Sequence, residues 1–384
     1  MNIITLNKED KTYSNFLSFN ISKDLENASG SFKFEASVSD LETFPFKEGD
    51  AVQVAIDGEN FITGFIDIMS PEGSRENHII NIEGRDKISD LIDSQIQAIA
   101  IKAPITMVDL ISKVCKLVGY QVVSSKKPYL GKNNDNEISI INNYGDIEIF
   151  KERIDLRNGE SGWNLIQKYA EKRQLVITCN GDGNIVINKI GSEKAVTILK
   201  NIKNEENNNI KNTDFSINVT NRFHNYIVKS NNTESPESEN DGYQVGVAYD
   251  HSIRKTRTLL MIAQVQMTSG DCQKKAEWEA NIRKADSIKY CVEIFGFRQN
   301  LKDKISENPL WNINQLVYVK DSFAGINDEM LIKSINYSKT KDKGSITKLE
   351  LINKLAYTLT LNEPLLKKPK EKTGSKLYTE FGKD

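Results

Sequence analysis

Ala51-Val52-Gln53-Val54-Ala55-Ile56-Asp57-Gly58, followed after two residues by Phe61-Ile62-Thr63-Gly64-Phe65-Ile66-Asp67-Ile68, is the stretch from which the fold is read. Val52, Val54 and Ile56 recur at period two, the pattern of a half-buried strand. Asp57-Gly58 is a favoured hairpin turn because both residues tolerate positive φ. Phe61 then opens a return strand through Phe65 to Ile68. Upstream, Phe32, Phe34, Ala36 and Val38 alternate with Lys33, Glu35 and Ser37, and downstream Ile80 and Ile82 mark a further strand. Short strands punctuated by turns, with almost no helical periodicity, predict a small β-barrel or sandwich for this part of the chain.

The whole chain sets the outer limits. Its 384 residues are enough for two to three domains. Apolar residues make up 38% and charged residues 27%, a globular, polar-surfaced composition. Lys and Arg number 51 against 53 Asp and Glu, a net charge of −2, which argues against a dedicated nucleic-acid binder. The longest apolar run, Leu259 to Ala263, is far below the ~20 residues of a spanning helix. Lys8, Glu9 and Asp10 leave no room for a signal peptide, so a soluble chain made in a cytoplasm is expected. Cys115, Cys179, Cys272 and Cys291 show no CxxC spacing, and the three histidines (His78, His224, His251) are far apart. Neither a zinc site nor a redox motif is available from them.

After Ser94 the period changes. Thr106 with Asp109 three residues on is a capping signal. Val108, Ile111, Cys115 and Val118 fall on one helical face closed by Gly119. A second helix opens near Ser161 with Trp163, Ile166 and Ala170 inward. Strands Leu175 to Cys179 and Ile185 to Asn188 follow, joined by Asn180-Gly181-Asp182-Gly183-Asn184. A calcium loop read from Asn180 fails, because its twelfth position is Gly191 rather than a bidentate Glu. A hairpin of residues that tolerate positive φ accounts for the sequence.

Two polar stretches, Asn201 to Thr213 and Ser230 to Asp241, read as linkers or long surface loops with too little apolar content to order themselves. Between them, Phe215, Ile217 and Val219 alternate, and Tyr226 to Val228 form a short strand. Arg254 to Met267 is β-like, Cys272 to Ala285 helical, and Tyr290 to Phe295, Leu316 to Val319, Met330 to Tyr337 and Ile346 to Ile352 are strands. Val52 and Val54 correspond to Val317 and Val319, and Ile80 and Ile82 to Leu349 and Leu351, which suggests a duplicated unit.

The fold class is therefore multidomain and mainly β with α+β insertions: two related small β-barrel domains plus α+β domains. A first barrel over 1–95 is expected to be completed by 213–230, with an α+β domain over 96–205. Strands and a helix occupy 241–300, second-barrel strands 301–360, and a Lys-rich extension 361–384.

The order of segments is also familiar. Phe46-Lys47-Glu48-Gly49-Asp50-Ala51-Val52, Phe61 to Asp67, Ile82-Glu83-Gly84-Arg85-Asp86 and Ser89-Asp90-Leu91-Ile92-Asp93 stand in the first half. Ile253 to Arg257, Ala276-Glu277-Trp278-Glu279-Ala280-Asn281-Ile282-Arg283-Lys284-Ala285, Pro309-Leu310-Trp311-Asn312 and Met330-Leu331-Ile332 stand in the second. Over about residues 1 to 357 this resembles the Mu-type baseplate hub proteins of contractile phage tails, in the hub superfamily that includes the T-even phages. The resemblance implies a structural, non-enzymatic protein of the virion tail baseplate, synthesised in the host cytoplasm. It implies a homotrimeric ring whose three chains present six barrel units to the hexameric tail tube or tube initiator. The other face would hold a trimeric central spike, further baseplate proteins would bind around it, and a pore would pass DNA. No cofactor, metal or catalytic residue is implied.

Arg85, Asp86, Trp278, Arg283 and Trp311 are candidate subunit-interface residues. Gly84-Arg85-Asp86 reads equally as a strand-ending turn with a solvated ion pair, and the two tryptophans read as core or interface packing rather than ligand stacking. Lys367, Lys368, Lys370, Lys372 and Lys376 read as a solvated extension or as an arm to a neighbour. Two alternatives are a peptidoglycan-degrading tail enzyme and a carbohydrate-binding tail module. The first lacks any HExxH, GxSxG or Cys–His signature, and Glu137/Asp146 is a carboxylate pair without context. The second would want aromatics on one strand face, and the three tryptophans are scattered.

Overall fold

The alternating apolar residues of the first part do form strands: β1 (Ile4–Lys8), β2 (Lys11–Tyr13), β3 (Phe16–Asp24), β4 (Ser31–Ser37), β5 (Ala51–Ile56), β6 (Glu59–Gly73) and β7 (His78–Asp86). In this computed structural model, the residues described are 3–9, 11–37, 44–73, 78–97, 99–102, 104–123, 136–143, 148–150, 154–156, 159–171, 175–230, 244–263, 268–299, 308–340 and 342–353. The β5–β6 hairpin turns at Asp57 (φ 50°) and Gly58 (φ 81°), both left-handed, as a two-residue loop with the strands' twist requires. The stretches 231–243 and 361–384 and Asp146 lie outside the described residues, and with them the Lys-rich extension and one member of the carboxylate pair.

The middle of the chain contributes α1 (Ser89–Asp93), β8 (Ile99–Ile101), β9 (Ile105–Thr106), α2 (Met107–Val118), β10 (Gln121–Val123), β11 (Glu137–Asn142), β12 (Glu148–Phe150), β13 (Ile154–Leu156), α3 (Gly162–Glu171), β14 (Leu175–Cys179) and β15 (Ile185–Lys189). Thr106 caps α2 by accepting from the Asp109 amide at 3.1 Å, and Gly119 at φ 106° ends it. The order β10-β11-β15-β14 makes a small sheet. Ile111, Val114 and Cys115 of α2, Trp163 and Ile166 of α3 and Ile177 and Ile187 share one apolar core, distinct from that of the large sheet.

Next come β16 (Glu193–Lys194), β17 (Leu199–Asn201), β18 (Ile210–Ile217), β19 (Asn225–Ser230), β20 (Gln244–Tyr249), β21 (Thr258–Ile262), α4 (Ser269–Asp286), β22 (Ile288–Phe295), β23 (Gln315–Asp321), β24 (Ile326–Thr340) and β25 (Gly344–Asn353). Residues 223–280 form a compact unit of their own, and the rest of the described chain a larger one. In the small unit β19 lies between β20 and β21, and Tyr226, Val228, Ala248, Cys272 and Ala276 make its core. Gly246 is required there, because a Cβ would collide with the backbone of Cys272 and Gln273.

In the larger unit one sheet runs β18-β22-β25-β24-β3-β4-β7-β6-β5-β1-β2, with β23 beside β24. Two five-strand blocks repeat within it, β3-β4-β7-β6-β5 and β18-β22-β25-β24-β23. Their irregularities repeat too. β3 slips against β4 between Phe16 and Ser18, and β18 against β22 between Ile210 and Asn212. β6 slips against β7 between Ile66 and Ile68, and β24 against β25 between Ile332 and Ser334. Gly49 (φ 81°) donates to the Ile66 carbonyl at 2.8 Å, while Asn314 (φ 65°) donates to the Ile332 carbonyl at 3.0 Å. Even a surface bond recurs: Ser18 Oγ donates to Glu35 Oε2, and Asn212 Nδ2 to Glu293 Oε2, each at 2.7 Å. Bulges pin register, so these anchors align the blocks residue by residue.

The alignment keeps Val52 with Val317 and Val54 with Val319, and adds Phe32, Phe34 and Ala36 with Tyr290, Val292 and Ile294. It sets Ile82 with Leu349 and Gly84 with Leu351. The expected match of Ile80 to Leu349 is thus two residues off. A two-residue slip keeps the same side chains inward, so apolar alternation cannot detect it.

Two further expectations are corrected. Residues 213–230 do not complete the first block: β18 pairs with β22 of the second, and β19 belongs to the separate three-stranded sheet. Alternation announced both strands but not their partners, which Phe215 packing on Tyr290 helps to select. The polar stretch Asn201–Thr213 is also no loose linker. Asn208 Oδ1 accepts from Ile202 N and its Nδ2 donates to the Ile202 carbonyl, while Asn209 bridges Lys200 N and the Ile198 carbonyl. Side-chain amides close this loop where apolar burial is missing.

Candidate assembly site

Gly84-Arg85-Asp86 ends β7 where the first block meets the α+β domain, and three short-range facts build the joint. A Cβ at Gly64 would collide with the Arg85 carbonyl, and one at Gly84 with the Phe65 carbonyl and the Phe32 ring, so β6 and β7 approach as only glycine permits. The Asn180–Asn184 turn folds on its own Asn180 side chain, which accepts from the amides of Asp182 and Asn184, with Gly183 at φ 80°. Gly181 then offers its carbonyl to Thr63 Oγ1 at 2.6 Å, and Asp182 accepts from Asn60 Nδ2 at 3.1 Å.

Beneath that contact lie charged side chains out of water. Asp86 is 1% exposed and accepts from Gly30 N at 2.6 Å, Ser29 Oγ at 2.9 Å and Ile88 N at 3.2 Å. Burial pushes its carboxyl up to about 6, against the opposing pull of those donors and of Lys23. Lys23 is buried as well; its Nζ donates to the Cys179 carbonyl at 3.0 Å and sits 4.5 Å from the Phe61 ring centroid. Burial holds the Lys23 ammonium below its ordinary value. Lys87 Nζ donates to the Glu137 carbonyl at 3.2 Å, and the Tyr120 hydroxyl to Asp90 at 2.6 Å.

Arg85 lies at the outer side of the joint, its guanidinium bidentate on Asp93 (2.7 and 3.3 Å) and its Nε on Asp67 (2.8 Å). These hydrogen bonds raise it further above its ordinary range. The structure therefore brings Arg85 and Asp86 together in an intrachain joint. The interface assignment of Asp86 is corrected, since a carboxyl this enclosed cannot meet another chain. Trp311 is corrected likewise: it is 1% exposed in the core of the large sheet, where its carbonyl accepts from the Tyr337 hydroxyl at 2.5 Å. Trp278 and Arg283 lie on α4. Trp278 is half-buried, and Arg283 Nη1 donates to the Asn221 carbonyl at 3.2 Å.

Sequence reading missed Lys23, Lys87 and Arg298. Arg298, its side chain 7% exposed, clasps the first block's hairpin through Asp57 (3.2 Å) and Glu59 (3.2 Å) and also donates to the Asn308 carbonyl at 2.7 Å. A lone Lys or Arg in a strand pattern gives no sign of burial, so only the partners could have revealed them. Among the described residues no group of three His, Cys, Asp or Glu converges to hold a metal, and no helix is long and apolar enough to cross a membrane.

Comparison with known proteins places this architecture. Residues 3–86, which hold the first block, match the family described as Mu phage baseplate assembly protein GpP-like, N-terminal. Residues 268–359, which hold β22 to β25, match Mu phage baseplate assembly protein GpP, fourth domain. The chain is 22% identical over 361 residues to the baseplate hub protein gp44 of Escherichia phage Mu, covering 91% of this chain and 87% of that one. It superposes on the 43 kDa tail protein of prophage MuSo2 from Shewanella oneidensis with a TM-score of 0.74 and 25% identity, covering 92% and 99% of the two chains. The tail protein of Neisseria meningitidis MC58 gives the same TM-score at 18% identity over 94% and 98%. Matched at both repeated blocks and similar along most of its length to Mu-type baseplate hub and tail proteins, the chain is a baseplate hub structural protein of a phage tail.

Proposed function

We propose that three copies of this chain close into a ring that adapts a hexameric tail tube to a trimeric central spike, with a central pore through which DNA leaves. The observation that carries the reading is the five-strand block present twice, down to its bulges and hairpin hydrogen bonds. Three chains then offer six nearly equivalent blocks, which is what a sixfold tube can dock on, while the chain itself keeps threefold symmetry for a spike. Closed rotational symmetry of this kind is built from head-to-tail interfaces.

The role is structural rather than enzymatic, in keeping with relatives named as hub and tail proteins. The protein does not read DNA sequence; a strongly basic pore would bind phosphates and slow their passage, so its lumen is near neutral or acidic. Other baseplate proteins bind the ring from outside. Light scattering coupled to size exclusion tests the reading. A mass near three times 43.4 kDa is expected, with no peptidoglycan hydrolysis by the same sample. A chain that stays monomeric at tens of micromolar overturns it.

A further inference from the structure

We infer that His224 and His251 together hold a divalent cation of the zinc class, which ties the start of β19 to the turn after β20. The site lies wholly within the smaller unit, residues 223–280, and stands apart from the ring reading. The chain has only three histidines, and two of them meet here. The rings of His224 and His251 have centroids 5.5 Å apart and planes inclined by 67°.

Local backbone geometry delivers both rings. β20 ends at Tyr249, and Asp250 N donates to the His224 carbonyl at 2.9 Å. The chain then reverses over Asp250 to Ile253, closed by Ile253 N on the Asp250 carbonyl at 3.2 Å. Asp250 is buried and fixes this turn, its Oδ1 accepting from Ser252 N and Ser252 Oγ. His251 takes the second position of the turn, where it is exposed. Its ring lies flat against Tyr249, with centroids 5.9 Å apart and planes 9° from parallel.

His224 is the deeper partner, 7% exposed, and its Nδ1 lies 3.0 Å from two carbonyl oxygens, those of Asp250 and Ile253. Carbonyls only accept, so Nδ1 carries the proton and Nε2 of the neutral ring keeps its lone pair. A backbone carbonyl holding the other ring nitrogen is how ligating histidines are oriented. Among the described residues Nε2 makes no hydrogen bond, yet it is not walled off as a buried orphan.

The spacing suits one ion. With each nitrogen about 2.0–2.1 Å from a tetrahedral centre, two imidazole centroids stand about 5 Å apart. The 5.5 Å observed needs only a small swing of the exposed His251 ring. No third His, Cys, Asp or Glu converges on the pair among the described residues, so water completes the coordination. Imidazole nitrogens select zinc, copper or nickel over magnesium and calcium, which take oxygen ligands. Such an ion staples a unit whose own core is small, and binding to the folded form alone adds stability.

Calorimetric titration of the untagged, chelator-stripped full chain with zinc chloride tests this. One zinc per chain is expected to bind at tens of micromolar. His251→Ala, an exposed position, should lose that binding, while His78→Ala should keep it. Zinc should also slow deuterium exchange at the amides of β19 in the wild type and leave His251→Ala unchanged. Without zinc the two proteins should exchange alike, which shows that the variant is folded. A wild type that binds no zinc in this range, or a His251→Ala variant that binds it equally well, overturns the site.

Discussion

Asp86 and Lys23 show what a single residue does in this protein. Each is a charge removed from water at the seam between the first block and the α+β domain, and neither contacts solvent enough to be stabilised by it. Donors from Gly30, Ser29 and Ile88 compensate Asp86 in part. They do not offset burial fully, since the carboxyl still rises to about 6. An unfolded aspartate keeps its proton only below about 4. Between these values the folded chain therefore binds more protons than the unfolded one, and this group's contribution to stability falls as pH rises through that window. Urea unfolding at pH 4.5 and pH 7 should show a loss in the wild type that Asp86→Asn largely abolishes. An equal pH dependence in both would show that Asp86 is not the titrating group. The position of Asp86 after Gly84-Arg85 was legible in sequence; its enclosure was not, because Ser29, Gly30 and Lys23 arrive from more than fifty residues away.

At the scale of elements, what was local was readable. The cap at Thr106, the αL residue at Gly119, the Asp57-Gly58 turn and the Asn180–Asn184 turn all stand as their residues predict. Each is decided within a few residues by φ preference or one side-chain hydrogen bond. Thr106→Ala removes the bond to Asp109 N and should cost about 1 kcal/mol, read as a lower urea midpoint with an unchanged slope. Strand partners and the ordering of Asn201–Thr213 were not readable. β18 and β3 carry similar alternation and either could flank the first block. The loop is closed by amide side chains whose targets, Lys200, Ile202 and Ile198, are found only once the chain has turned.

For the molecule as a whole, two units differ in how much they bury. The large sheet encloses a core that extends from Ile4 to Leu351, whereas residues 223–280 rest on Tyr226, Val228, Ala248, Cys272, Ala276 and Ala280. Opening free energy follows buried apolar contact. Amides of β19 should therefore exchange with deuterium faster than those of β4 and β7 under native conditions, and equal protection would mean the smaller unit is held by more than its own core. The duplication belongs to this scale as well. Sequence gave a few alternating apolar residues with a two-residue ambiguity, and shared bulges in space removed it.

By itself the amino-acid order determined the mainly-β class, the helices and turns, and the kinship with phage hub proteins, because periodicity, φ preference and motif order are local or linear properties. Tertiary structure alone decided which strands pair, which charges are buried, that the two blocks share one sheet, and which edges remain open. Those depend on groups distant in the chain meeting in space, where burial and hydrogen bonding, rather than local preference, determine the free energy.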